Sequence, residues 1–393
     1  MIKQAVILAG GLGTRLKSVV KDIPKPMALI GDKPFLEYQI NILKENGFEK
    51  VLLLTGYKGE IIEDYFKDGK EFGIKIEYSK EQEPLGTGGA VFNAWNKLDE
   101  EFILLNGDTF FDIQYEILFD FINKKKADAL IVLRFSEDIS RYGFVEIDEN
   151  YKITNFIEKG KLPENRIDGY INGGIYYFKK DTLKKYYEQY KNQKISIETN
   201  IFPELIKEGN LYGLPTGGKF IDIGIPEDYQ KAQKIIPEWI KKERKPALFI
   251  DRDGTIIEDP GYIHGTNLKF IDKTFDIIKK AKEEGKYVII ITNQAGIAKG
   301  KFTEEESIKT TEYIIEYYRK KGITIDDYYY CPYHPEGTIE KYKKYSLARK
   351  PNPGMILKAC EDYRIDLRNS MMIGDNEKVD SIFLWQITIK IQK

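Results

Sequence analysis

Over residues 1–240 short runs rich in Val, Ile and Leu alternate with longer stretches of mixed polarity, and the two kinds of segment have different periods. The continuous runs at 6–9, 50–55, 75–78, 102–105 and 129–135 predict buried strands, whereas 34–46 and 59–66 repeat their apolar positions at helical spacing. That alternation predicts an α/β fold, a mixed and mainly parallel sheet covered by helices. An amphipathic helix is expected at 226–242, and the charged run Lys-Lys-Glu-Arg-Lys-Pro at 241–246 reads as a solvated connector. Beyond it a second series begins, with strands at 247–251, 287–292 and 370–374 and helices at 274–284 and 303–320, which predicts a second α/β sandwich. The halves differ in the pattern and spacing of their glycine loops, so they are not repeats of one unit.

A chain of 393 residues is long for one core, so its length favours two domains, 1–240 and 247–393, each able to bury its own core. With 61 basic residues against 62 acidic ones the net charge is −1, so nothing global calls for nucleic acid or an anionic membrane as partner. The first eight residues are too short for a secretory apolar region and run into a glycine loop, and no stretch is long enough to span a bilayer. Cys331 and Cys360 cannot form a disulfide framework, which points to a reducing compartment and, by default, the cytoplasm. A homo-oligomer is left open.

The first candidate chemistry is Leu-Ala-Gly-Gly-Leu-Gly-Thr-Arg-Leu at 8–16, where Gly10, Gly11 and Gly13 after a strand leave backbone N–H groups bare for phosphate oxygens. Arg15 and the Pro24-Lys25-Pro26 element add two cations close by. This half resembles the sugar-1-phosphate nucleotidyltransferase family, with a Rossmann-like domain. The resemblance implies that Leu8, Gly10, Gly11, Gly13, Thr14 and Arg15, with Gly86, Thr87 and Gly88 of Pro-Leu-Gly-Thr-Gly-Gly, hold the nucleotide. Arg15 and Lys25 would be catalytic, steadying the triphosphate and the attacking phosphate. Asp108 and Asp222, each closing a strand, would share Mg²⁺, and Glu158, Lys159, Asn172, Gly173 and Glu198 would contact sugar. Attack of a sugar 1-phosphate on the α-phosphorus of a nucleoside triphosphate needs positioning and charge neutralisation rather than a side-chain nucleophile.

In the second half Asp251-Arg252-Asp253-Gly254-Thr255 follows an apolar strand, and two acids one residue apart fit an aspartyl-phosphate mechanism. Asp251 would be the nucleophile and Asp253 the acid, then base. The half resembles haloacid dehalogenase-type phosphatases, with Thr292 and Lys350 gripping the phosphoryl oxygens and Asp375 joining Asp251 and the Asp253 carbonyl around Mg²⁺. The segment 256–291 is too short for a large cap in addition to a core helix, so a capless Rossmannoid domain with an open site is expected. Within that type it looks like the heptose 1,7-bisphosphate and histidinol phosphatase group, with Asn293, Lys299 and Arg349 facing substrate and His264 a loop contact. That group carries a structural zinc loop, yet beside Cys331 the other ligand positions hold Tyr333, Ser346 and Ala348. His334 cannot replace three missing ligands, so no zinc is expected, and packing by Tyr333, Tyr342 and Tyr345 would hold the loop. With only 381–393 following Asp380, the last helix and strand should be short and this half should lean on the first.

The first half is similar to heptose 1-phosphate guanylyltransferases through Ser-Val-Val-Lys-Asp-Ile-Pro-Lys-Pro-Met and Ser-Ile-Glu-Thr-Asn-Ile-Phe-Pro-Glu-Leu. The pair of resemblances implies a bifunctional enzyme taking heptose 1,7-bisphosphate and GTP to GDP-heptose. Two other readings stay open: another sugar 1-phosphate with another triphosphate, or a second half that has decayed into a binding module.

Overall fold

The computed structural model describes residues 2–11, 16, 22–139, 144–157, 166–382 and 388–391. Strands Gln4–Leu8, Lys50–Thr55, Lys75–Lys80 and Glu101–Asn106 form the parallel part of a nine-stranded sheet, with Gln4–Leu8 between Lys50–Thr55 and Glu101–Asn106. The near-continuous apolar sequence of the three inner strands follows from burial on both faces, while Lys75–Lys80 at the edge is only partly buried. The other part is built on the long strand Gly169–Lys179, which runs antiparallel to Glu101–Asn106, Ala129–Ser136 and Phe144–Ile147, while Leu211–Pro215 lies parallel to Ala129–Ser136. A separate antiparallel ribbon pairs Thr109–Phe111 with Phe220–Asp222.

In the second half five parallel strands lie in the order Asp327–Cys331, Tyr287–Asn293, Ala247–Ile250, Met371–Gly374, Thr388–Ile391. Between Thr255 and Thr292 there is one core helix, Asp272–Glu283, and loop, so no cap domain covers the site. In both sheets the candidate residues follow the carboxyl ends of parallel strands, where an open α/β sheet binds its ligands.

Each half buries a cluster of its own, around Ile7, Leu53 and Tyr177 in the first and around Ile250, Ile290 and Ile314 in the second. A further buried apolar cluster runs from Phe102, Leu133 and Phe135 of the first half into Met355, Leu357 and Cys360 of the second. The connector is not a solvated tether. Lys245 bridges Ile365, its N–H donating to Arg364 O and its carbonyl accepting from Asp366 N, and Arg244 reaches Asp112.

Candidate active sites

The glycine loop opens onto a cavity of about 440 Å³ whose wall includes Leu8, Gly10, Gly11, Lys25 and Asp108. Register pairs Leu8 with Asn106, and Gly107 donates to Leu8 O at 3.1 Å, so the ends of two parallel strands meet behind the loop. A side chain on Gly107 would lie 2.4 Å from Leu8 O, which only glycine avoids. Among the described residues nothing lies within 4 Å of the missing Cβ of Gly11, which borders the cavity. Lys25 heads a single 3-10 turn, Lys25–Met27, fixed between Pro24 and Pro26. Its ammonium lies 2.5 Å from Asp108 Oδ2 and 3.8 Å from Asp222 Oδ1, while Gly224 N donates to Asp222.

Helix Gly86–Asn93 forms one lip of the cavity. Gly86 has φ +76°, and a Cβ there would lie 2.4 Å from Ile195 O. Thr87 lines the cavity and donates to Glu198, which also lines it and accepts from Ser196. Gly88 does not face the cavity as the sequence suggested. Its N–H donates to Ile195 O and its missing side chain makes room for Ile195, so packing accounts for this glycine. Asn172 and Gly173, expected at the sugar, make contacts within the fold. They form a bulge in Gly169–Lys179 where Asn172 accepts from Gly174 N and donates to Tyr176, and Gly173 packs on Phe111. Gly13, Thr14, Arg15, Glu158 and Lys159 lie outside the described residues.

A second cavity, about 300 Å³, lies at the strand ends of the second half and is lined by Asp251, Asp253, Thr292, Arg349, Lys350 and Asp375 among others. Lys350 is buried and pairs with Asp251 at 2.8 Å and with the fully buried Asp380 at 2.7 Å. Burial pushes the Asp251 carboxyl up, and the Lys350 ammonium opposes the rise. Asp253 borders the same cavity with its carboxylate held in place. The buried Arg252 guanidinium grips both its oxygens, and Gln294 donates to Oδ2, so only its carbonyl is left for a metal. Gln294 also donates to Thr292, tying the phosphate-side hydroxyl to the acid. Asn293 lines the cavity, and both ends of its amide bond the Lys350 backbone, which positions Lys350. One Arg349 nitrogen, Nη1, is buried with no hydrogen-bond partner among the described residues. Lys299 stands over the Tyr262 ring at 5.8 Å, and His264 sits against Phe302.

The loop that would carry zinc is fastened differently. Tyr342 donates to Glu304, Tyr333 packs beside Tyr342, and Tyr345 is exposed, pairing with Arg166. The firmest hold is one the sequence did not reveal: buried Asp168 of the first half accepts from Ser346 Oγ and, at 2.9 Å, from Leu347 N.

The family model described as nucleotidyl transferase matches residues 4–238, more than half of the chain. The chain belongs to the nucleotidyl transferase family. Two curated relatives, both D-glycero-alpha-D-manno-heptose 1-phosphate guanylyltransferases, are similar to it. The one from Campylobacter jejuni is 47% identical over 58% of this chain and 96% of its own length, and the one from Aneurinibacillus thermoaerophilus 42% identical over 60% and 100%. Among solved structures, HddC from Yersinia pseudotuberculosis, complexed with GMP-PN, superposes with a TM-score of 0.52 at 38% identity, covering 59% of this chain and 99% of that one. Residues 247–381 of this nucleotidyl transferase match a second model, described as polynucleotide kinase 3 phosphatase, a phosphatase domain of the expected haloacid dehalogenase-like type.

Both sites of this nucleotidyl transferase fit a hard divalent cation. Asp108 and Asp222 end the ribbon with side chains 37% and 48% exposed, converging on one ammonium with room for substrate oxygens. Asp251, Asp375 and Asp380 offer carboxylate oxygens within 4.8 Å of one another, three negative charges of which the one Lys350 ammonium offsets only part. Asp380 belongs to this cluster and was not singled out from sequence. Its only signal is its place five residues after Asp375 on the turn that follows strand Met371–Gly374. Glu81, after Lys75–Lys80, was also missed. It lines the first cavity with its carboxyl pushed up by burial, against a hydrogen bond from Leu85 N.

Proposed function

We propose that the chain makes GDP-heptose in two steps, its second half removing the 7-phosphate of D-glycero-D-manno-heptose 1,7-bisphosphate and its first half joining heptose 1-phosphate to GTP with release of pyrophosphate. The observation that carries this reading is the pairing in one chain of a nucleotidyl transferase site with a phosphatase site, beside relatives named for heptose 1-phosphate. The domains are taken as 1–240 and 247–393.

In the first site an oxygen of heptose 1-phosphate attacks the α-phosphorus of GTP and the bond to the β-phosphate oxygen breaks. Lys25, with Arg15, neutralises charge on the phosphates, Gly10, Gly11 and the helix start at Gly86 cradle the nucleotide, and Glu198, Glu158 and Lys159 hold sugar. Mg²⁺ held by Asp108 and Asp222 would supply the remaining charge compensation. Glu81 supports guanine as the base: its carboxylate accepts hydrogen bonds, and guanine presents adjacent N1–H and N2–H donors.

In the second site Asp251 attacks the 7-phosphorus while Asp253 protonates the leaving alkoxide. Asp253 then takes a proton from the water that attacks the aspartyl phosphate, releasing inorganic phosphate and restoring Asp251. Thr292 and Lys350 bind the phosphoryl oxygens and Arg349 reaches the distal anion. Mg²⁺ on Asp251, Asp375 and the Asp253 carbonyl would offset repulsion between carboxylate and phosphate. No helix among the described residues is long and apolar enough to cross a membrane, and the substrates suit a cytoplasmic enzyme.

The test is to incubate purified protein with the bisphosphate, Mg²⁺ and GTP and follow GDP-heptose by mass spectrometry. Absence of both free phosphate and nucleotide sugar would sink the proposal. Each of the four common triphosphates, and a 3′-phosphorylated oligonucleotide offered to the second site, measure selectivity directly.

A further inference from the structure

The two carboxylates assigned to the first metal site stand at one end of the ribbon Thr109–Phe111 and Phe220–Asp222, where register sets Asp222 against Thr109. Three residues of strand, roughly 10 Å, separate them from the other end, and that end is held by the second half of the chain. Asp112 is buried there and its N–H donates to Lys219 O, closing the ribbon. Its carboxylate accepts from Trp239 Nε1 at 2.8 Å, from Arg244 of the connector at 2.8 Å and from Arg364 Nε of the second half at 2.9 Å. The opposite strand is held too. A side chain on Gly217 would lie 2.3 Å from Cys360 Cβ, so helix Gly354–Asp362 packs directly on this backbone. Arg134 stacks over the Phe220 ring at 4.5 Å and bonds Glu361 of the same helix at 3.0 Å.

An isolated two-stranded ribbon is marginally stable, and a metal site needs its ligands held to within about half an ångström. We infer that the phosphatase half acts as a clamp on the nucleotidyl transferase, Arg364 and Glu361 fixing the base of the ribbon so that Asp108 and Asp222 keep the spacing that binds the cation. Arg364 is a positioning residue: it touches neither substrate nor metal. The curated heptose relatives are spanned almost completely by 227 and 238 residues of this chain, so an anchor supplied by the second half is something this chain adds. The inference rests on the assignment of Asp108 and Asp222 to metal, not on the identity of the sugar.

The experiment uses full-length protein carrying Asp375→Asn to silence the second metal site, titrated with Mn²⁺ in the presence of GTP and read by electron paramagnetic resonance. Adding Arg364→Met should weaken Mn²⁺ binding about tenfold, the lower end of what loss of a supporting partner costs a metal site, and Arg364→Lys should recover part of it. Glu361→Gln, at a partly exposed position, should shift binding in the same direction with less strain on the fold, and it decides the matter if Arg364→Met does not fold. Phosphate release by each variant with Asp375 restored serves as the control for folding of the second half. Unchanged Mn²⁺ affinity in a folded Arg364→Met or Glu361→Gln protein overturns the clamp, even if its melting temperature falls. Failure of the parent to make GDP-heptose while Mn²⁺ affinity still tracks Arg364 would overturn the heptose reading and leave the clamp standing.

Discussion

In the proposed reading Glu81 is the side chain that selects guanine. Replacing it with Gln keeps the shape but sets an amide donor against guanine's own donors, and a hydrogen bond to a charged group contributes about 1.5–3 kcal/mol. Glu81→Gln should therefore lower kcat/KM for GTP by roughly 10- to 100-fold and narrow its preference over ATP, as competition between the two triphosphates would show. Asp251→Asn removes the nucleophile and should abolish phosphate release while transfer from heptose 1-phosphate and GTP continues at the parent rate. Equal phosphate release by variant and parent would instead favour a binding module. At this scale the sequence was most legible where a motif fixes both type and place, as for Lys25, Asp251 and Lys350. It was least legible for Glu81, Asp168 and Asp380, single acids whose meaning depends on what folds against them. Gly88, Asn172 and Asn293 show the converse: residues inside motifs whose atoms are spent on neighbouring backbone.

Among elements, the buried parallel strands were the easiest to read, Lys50–Thr55 and helix Gly59–Phe66 falling where the periodicity put them. Strand Gly169–Lys179 was not among the predicted strands, because its glycines and aromatics mask the strand pattern and a bulge interrupts its register. Helix Gly86–Asn93 hides in a glycine-rich stretch that reads as loop, since low helix propensity is overridden by packing against 193–195. Gly86→Ala should strain a left-handed backbone and push on Ile195 O, displacing the helix start that faces the nucleotide. The expected result is a raised KM for GTP with the phosphatase rate unchanged. Helix Glu304–Lys320 begins with a capping box between Thr303 and Glu306. Thr303→Ala should cost about 1 kcal/mol, measured as a lower urea midpoint.

For the whole molecule the decisive fact is that one buried cluster bridges the halves although each also has its own. Length and the two alternating series of strands and helices predicted two domains, but contacts between distant segments leave no period in the sequence. Asp168 is the clearest case: burial raises its pKa, four donors or charges from Ser346, Leu347, Ala348 and Arg166 oppose the rise, and most of them belong to the zinc-type loop. Asp168→Ala would leave the Leu347 N–H and Ser346 hydroxyl buried without their acceptor, at about 1–3 kcal/mol. Scanning calorimetry should show the phosphatase transition moving down, and an unchanged transition would mean that the loop is held by its tyrosines alone.

The connector carries Lys241, Lys242, Arg244 and Lys245, an inviting target for a trypsin-like protease. Yet Arg364 donates to the carbonyls of Ile240 and Lys242, Arg244 is engaged by Asp112, and Pro246 follows Lys245. Lys241 and Lys242 are exposed, whereas Arg244 and Lys245 are half-buried and bonded to Asp112 and to 364–366, so cleavage after Arg244 should follow the opening of the clamp. Fragments cut in this way should stay together on a sizing column until denaturant separates them.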